Sequence, residues 1–130
     1  MIDLIEPLLL DLPGKYDRAA LARELQVRQS SAHHFTREHR GSVLLASAGE
    51  LPHGPGRCLV VDLLKTNKPG DGLFLLREML RWADARPVIK FTWWAPLFDT
   101  DDRFEHLVRH LGFARRGSIF QRNRHGLESA

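Results

Sequence analysis

Apolar residues recur at helical spacing over residues 2–12, where Ile2, Leu4, Ile5, Leu8, Leu9 and Leu12 share a face. Pro7 argues for a break or early turn inside that run, and Pro13-Gly14 stops it. Asp17 stands where a helix N-cap belongs, ahead of an apolar stripe of Ala19, Leu21, Ala22 and Leu25 that predicts a helix over 18–26. Residues 30–38 alternate only loosely, the pattern of an exposed strand or a loop. Residues 42–48 and 57–65 are short apolar runs that each predict a strand, the second largely buried, with Pro52, Gly54, Pro55 and Gly56 in the connection between them.

The second half is more sharply punctuated. Gly70-Asp71-Gly72 precedes a helix reaching about residue 85, with Leu73, Leu76, Met79 and Leu80 on one face and Pro87 as its stop. Residues 88–94 are β-branched and aromatic, hence a strand. Asp99 or Thr100 is placed to cap a helix over 101–110 that turns Phe104, Leu107 and Val108 inward. Gly112 sits at its C-cap, and 118–122 closes as a last strand. No first strand precedes the opening helices. The order strand, strand, helix, strand, helix, strand describes an α/β layered domain with a mixed sheet, a single domain over 1–126 with 127–130 frayed.

Composition narrows the class. The 130 residues carry 43% hydrophobic and 27% charged side chains, the balance of a globular chain rather than a disordered one. No apolar run approaches the roughly 18 residues of a membrane helix. The opening segment lacks the basic lead of a signal peptide. One cysteine, Cys58, excludes an intrachain disulfide and fits a reducing compartment, so the expected location is cytoplasmic. The net charge of +3 is uneven, because Arg103, Arg109, Arg115, Arg116, Arg122 and Arg124 crowd the last quarter. Such a patch is either a solvated face or a surface for an acidic partner, and the seven histidines add to it below about pH 6.5.

The turn from 66 to 73 carries the most chemistry. Two glycines at the mouth of a helix let backbone N–H groups point outward together, and the helix dipole adds partial positive charge. That is a design for holding a phosphate or pyrophosphate, to which Lys68 adds charge. Asp71 opposes it, since its carboxylate lies in the same cradle and can simply cap the helix; a plain turn is the ordinary alternative.

The run Asn67-Lys68-Pro69-Gly70-Asp71-Gly72 followed by Leu75-Leu76, then a strand, a helix, Leu111-Gly112-Phe113 and a final strand, resembles the C-terminal half of the GCN5-related N-acetyltransferase (GNAT) superfamily. There, Gln/Arg-x-x-Gly-x-Gly/Ala follows a strand and opens a helix. The resemblance spans Leu59 to Phe120, about half the chain, and rests on order and spacing rather than on one motif. It implies a mixed, mostly antiparallel sheet flanked by helices, and acetyl-CoA as co-substrate. The backbone amides of Lys68 through Leu73, with Gly70, Asp71 and Gly72 between them, would hold the pyrophosphate. The strands 57–65 and 88–94 would splay to admit the pantetheine, with Lys65, Thr66, Asn67 and Trp93 near the opening. The activity implied is direct acetyl transfer to an amine of a small molecule, peptide or protein, a base taking the amine proton and an acid protonating the thiolate.

The chain departs from the family pattern at informative places. Asn67 replaces the usual Gln or Arg. Val108 occupies the position of the frequent general-acid tyrosine, five residues before Phe113, and the Asn-x-x-Ala that usually precedes it reads Asp101 and Phe104. The only tyrosine, Tyr16, belongs to the first helices. Asp62 on the buried strand and Glu50 after the preceding one are the candidate bases, if burial raises their pKa. His33 and His34 are adjacent on an extended segment and point to opposite faces, so a shared metal is not expected. His106 and His110 stand at i, i+4, a spacing that can bind zinc, but no motif places a third ligand and no metal is assigned. Cys58 reads as a small buried hydrophobe. Trp93-Trp94 puts one indole on each side of the sheet, one for the core and one for a cleft, a partner or a homodimer contact, while Trp82 packs on its helix.

Three function classes follow: an N-acetyltransferase whose amine acceptor is unknown; a catalytically silent GNAT-like binding or structural protein with a protein partner, as in phage and bacterial accessory proteins; and nucleic-acid binding through Arg115, Arg116, Arg122 and Arg124, with Phe120 stacking.

Overall fold

The N-terminal periodicity becomes α1 (Ile2–Leu10), which continues through Pro7. A computed structural model describes residues 1–10, 14–51, 54–96 and 100–124, so Leu12, Pro13, Pro52, Asp99 and the 127–130 tail lie outside the described residues. Asp17 caps α2 (Arg18–Ser30), its carboxylate accepting from the N–H groups of Ala19 and Ala20 at 2.9 and 3.3 Å. Residues 34–39 form a true strand, β1 (His34–His39). It turns into β2 (Ser42–Glu50) through Arg40 and Gly41, both at positive φ, the two-residue hairpin whose twist matches the strands.

β3 (Arg57–Lys65) and β4 (Ile89–Trp94) are joined by α3 (Pro69–Asp84). Next comes α4 (Asp102–His110), capped by Asp101, whose side chain accepts from Phe104 N–H at 2.8 Å. That corrects the expected cap: Thr100 instead directs its hydroxyl toward Glu105 and Arg115. Gly112, at φ +96°, ends the helix as anticipated. The chain closes with the hairpin β5 (Ala114–Arg116) and β6 (Ile119–Asn123). β5 escaped sequence analysis because it is three residues long and two of them are arginines.

The six strands lie in the order β1-β2-β3-β4-β6-β5. Only β3 and β4 run parallel, so the sheet is mixed and mostly antiparallel. β2 is buried on both faces, which is why its sequence is an apolar run rather than an alternation. Leu44 and Ala46 join Leu59, Val61, Trp94, Phe113 and Phe120 beneath Leu75, Leu76, Met79, Leu80 and Ala83 of α3 and Val108 of α4. Val43 and Leu45 face the other way, under Ile5, Leu21 and Leu25 of α1 and α2. Each fully buried Leu or Met here contributes about 2–3 kcal/mol of transfer free energy.

α1 is tied to α2 by polar groups as well. Tyr16 donates its hydroxyl to Glu6 at 2.6 Å, and Arg18 donates to both Glu6 oxygens at 2.7 Å. The Tyr16 hydrogen bond, then Arg18, hold the Glu6 carboxyl below its ordinary 4.5. Burial, then the bond to Glu6, push Tyr16 up to about 12.

The bond therefore has two pH limits. On the acid side, the lowered Glu6 pKa stabilises the fold above about pH 4.5 and loses its effect as pH falls through the depressed value. On the alkaline side, the raised Tyr16 pKa stabilises below pH 10 and the effect is lost as pH rises to about 12. Because the chain has one tyrosine, an ultraviolet phenolate titration reads Tyr16 alone; its midpoint should lie well above 10 and move toward 10 in Glu6→Gln.

Candidate functional site

Two irregularities in β3 create the site. Leu45 pairs with Leu63 and Ala46 with Val61, so Asp62 is an extra residue, a β-bulge that bends the strand. The parallel register with β4 ends at Val60 opposite Trp93. Beyond it, residues 61–65 of β3 keep β2 as a neighbour but have no β4 partner, and the two strands part.

The gap opens onto a cleft of about 210 Å³ lined by Leu64, Thr66, Gly72, Leu73, Trp94 and Val108 among others. Its walls are apolar apart from Thr66. The N-terminus of α3 stands at its edge. Lys68 carbonyl accepts from Thr66 hydroxyl (2.5 Å), Asp71 N–H (3.0 Å) and Gly72 N–H (3.3 Å), which winds the loop tightly into the helix. Asn67 N–H donates to Ser42 Oγ at 2.8 Å. Pro69 has no N–H. Among the described residues, the N–H groups of Lys68 and Gly70 have no acceptor, and they stand at the positive end of the dipole of a 16-residue helix.

The two glycines differ in what they permit. A Cβ on Gly70 would meet nothing within 4 Å, whereas one on Gly72 would lie 2.8 Å from Thr66 Oγ1 and 3.0 Å from Thr66 Cβ. Gly72 lets α3 close against the end of β3, and Gly70 leaves space above its first turn.

The other expected site residues divide between this cleft and the opposite face of the sheet. Thr66 and Leu73 line the cleft. Asn67 binds the β1–β2 turn through Arg40 carbonyl at 3.3 Å. Asp71 is 8% exposed and lies 3.6 Å from His39 Nε2, with the His39 ring stacked on Phe74. Lys68 is exposed. Lys65 turns to the other face, where its Nζ donates to Leu4 carbonyl at 2.9 Å.

On that face a second cavity, of about 480 Å³, lies between α1, α2 and β3. Ile5, Leu9, Leu25 and Leu63 line it, together with Asp62, Arg28 and Lys65. Asp62 accepts from Arg28 at 2.9 Å and from Ser47 through a short hydrogen bond. Leu64 borders both cavities, so they approach each other across β3 at the parted strands. Arg28 and Ser47 were not legible as partners of Asp62, because α2 and β2 bring them there from 34 and 15 positions away. Glu50 pairs with Arg57 at 3.7 Å, at the start of β3, about 26 Å along the strand from its open end at ~3.3 Å per residue.

Several other groups are accounted for. Burial pushes the Cys58 thiol up to about 11, which suits a packing residue and not a nucleophile. Trp94 is 3% exposed in the core, while Trp93, 40% exposed beside Val60, donates its indole N–H to Gln121. Arg122 makes a two-pronged pair with Asp84 at 3.0 and 2.9 Å and donates to Leu111 carbonyl. Arg124 donates to the carbonyls of Arg86 and Asp84, and Arg115 engages Glu105, Thr100 and the face of Phe120. Three arginines of the basic segment are thus committed within the fold.

No family model and no curated protein sequence matches this chain. Among solved structures it is similar to an acetyltransferase of the GNAT family from Streptococcus pneumoniae, with a TM-score of 0.60 and 17% identity over 83% of this chain and 77% of that one. At that identity the likeness concerns the fold, and the fold is GNAT-like.

The glycine geometry gives a direct test. Gly72→Ala should destabilise the protein by about 1–3 kcal/mol through overpacking against Thr66. Gly70→Ala should be neutral or stabilising by up to about 1 kcal/mol through helix propensity. Urea unfolding of the two variants reads the difference.

Proposed function

We propose that the chain is an acetyl-CoA-dependent N-acetyltransferase that transfers an acetyl group to an amine. The observation that carries this reading is the parting of β3 from β4 beyond Val60 and Trp93 into an apolar cleft at the N-terminus of α3. The residues fit the co-substrate: an apolar slot suits a pantetheine arm, and the N–H groups of Lys68 and Gly70 with the helix dipole suit a pyrophosphate. Bound acetyl-CoA supplies an activated thioester: the amine nitrogen bonds the acetyl carbon, the C–S bond breaks and the thiol of CoA is released.

This chain's own part is to position and to move one proton. Leu64, Thr66 and Leu73 wall the cleft and exclude water. Asp62, held by Arg28 and Ser47 on the far side of β3, takes the proton of an amine arriving through the second cavity. Val108, buried where the family's tyrosine is frequent, donates nothing. A thiolate is a weak enough base to leave unprotonated, so transfer can proceed with solvent as the proton source. Val108 also favours a second reading, a domain that binds the co-substrate without turnover.

Two variants test these roles. Gly70→Asp places a carboxylate in open space at the helix N-terminus, where it is tolerated by the fold but repels a pyrophosphate. Calorimetric titration with CoA should show affinity about tenfold or more weaker at an unchanged melting temperature; unchanged affinity removes the cradle. Asp62→Asn should lower turnover about 100-fold or more with CoA affinity intact. Wild-type turnover in that variant removes Asp62 as base, and CoA binding with no turnover on any amine selects the second reading.

A further inference from the structure

α4 presents two imidazoles to solvent one turn apart. His106 and His110 are both exposed, their Nε2 atoms are 3.1 Å apart, and their rings stand nearly perpendicular, at 86°. Nitrogens at this separation, each about 2.0–2.1 Å from one ion, subtend about 100° at it, between the octahedral and tetrahedral angles. We propose that His106 and His110 form a chelating site for a divalent d-block cation of borderline softness, such as Zn²⁺, Ni²⁺ or Cu²⁺.

The helix holds the pair in place. Asp101 caps its first turn, Val108 is 2% exposed in the core and Phe104 packs on Trp94, so the two rings ride on an anchored strut. In the metal-free pair one Nε2–H donates to the other ring's Nε2. On binding, both rings carry their proton on Nδ1 and both Nε2 lone pairs face the ion, the tautomer of one ring shifting through solvent. Among the described residues no group of three or more His, Cys, Asp or Glu side chains gathers to hold a metal, so water completes the shell. Asp102, one turn before His106, adds negative charge on the same stripe, while Arg103 and Arg109 flank it with positive charge. The imidazoles therefore dominate the affinity, and by ligand preference Cu²⁺ should bind more tightly than Ni²⁺ or Zn²⁺. The ion would clip the last turn of α4, the helix whose Leu107 and Val108 wall the cleft.

The test uses the full chain with the metal salts alone. Melting temperature should rise with Zn²⁺ concentration, and Cu²⁺ bound to the wild type should show coupling to two nitrogens by electron paramagnetic resonance. His106→Ala and His110→Ala should each abolish the shift and reduce the coupling to one nitrogen. Both side chains are exposed and alanine favours helix, so circular dichroism should show both variants folded. A His33→Ala/His34→Ala variant should keep the full shift. A metal-induced shift that survives either α4 substitution, is lost in the His33/His34 variant, or is missing from the wild type overturns the site.

Discussion

Everything distinctive in this molecule depends on how far β3 and β4 stay paired. Four rungs of parallel pairing, from Arg57–Ile89 to Val60–Trp93, hold the two halves of the sheet together. The extra residue at Asp62 then bends β3 away. A strand edge without a partner exposes unmet N–H and C=O groups, and folds usually avoid that. Here the edge borders an apolar cleft roofed by α3 and α4.

The remaining elements keep that opening from collapsing. One core lies beneath α3 and α4 and another beneath α1 and α2, with β2 buried between them. The C-terminal hairpin is fastened to the end of α3 by Arg122, which is 8% exposed and meets both oxygens of Asp84. A guanidinium so placed is costly to desolvate, and the paired carboxylate with the Leu111 carbonyl offsets that cost. The ion pair thereby fixes where β6 and the strand beside it end relative to the helix. Trp94 plugs the base of the cleft between Phe104, Phe113 and Phe120.

The chemistry such a site can perform follows from its asymmetry. One side of β3 is greasy and ends at a helix N-terminus; the other carries a carboxylate held by Arg28 and Ser47 at the edge of a larger cavity. Leu64 belongs to both. The apolar cleft and the larger, partly polar cavity thus open from opposite sides onto one stretch of strand. Val108, buried at the cleft wall, brings no ionisable group to the apolar side.

Much of this was legible in the linear pattern. The span 57–65 of β3, the Asp17 cap, the helix end at Gly112 and the division of Trp93-Trp94 between core and surface each follow from local rules acting over a few residues, while which indole is buried does not. Proximity across the sheet was not legible. Lys65 and Thr66 are neighbours in sequence yet serve opposite faces, since a strand alternates. Asn67 and three arginines looked free for ligands and instead hold loops and helix ends. Sequence determined most of the elements, since local propensity and periodicity act within a segment, but not β5, whose three residues carry no apolar pattern. The resemblance implied that β3 and β4 part; where they part, beyond Val60 and Trp93, was decided by tertiary structure, since a bulge and a register limit exist only once strands are paired.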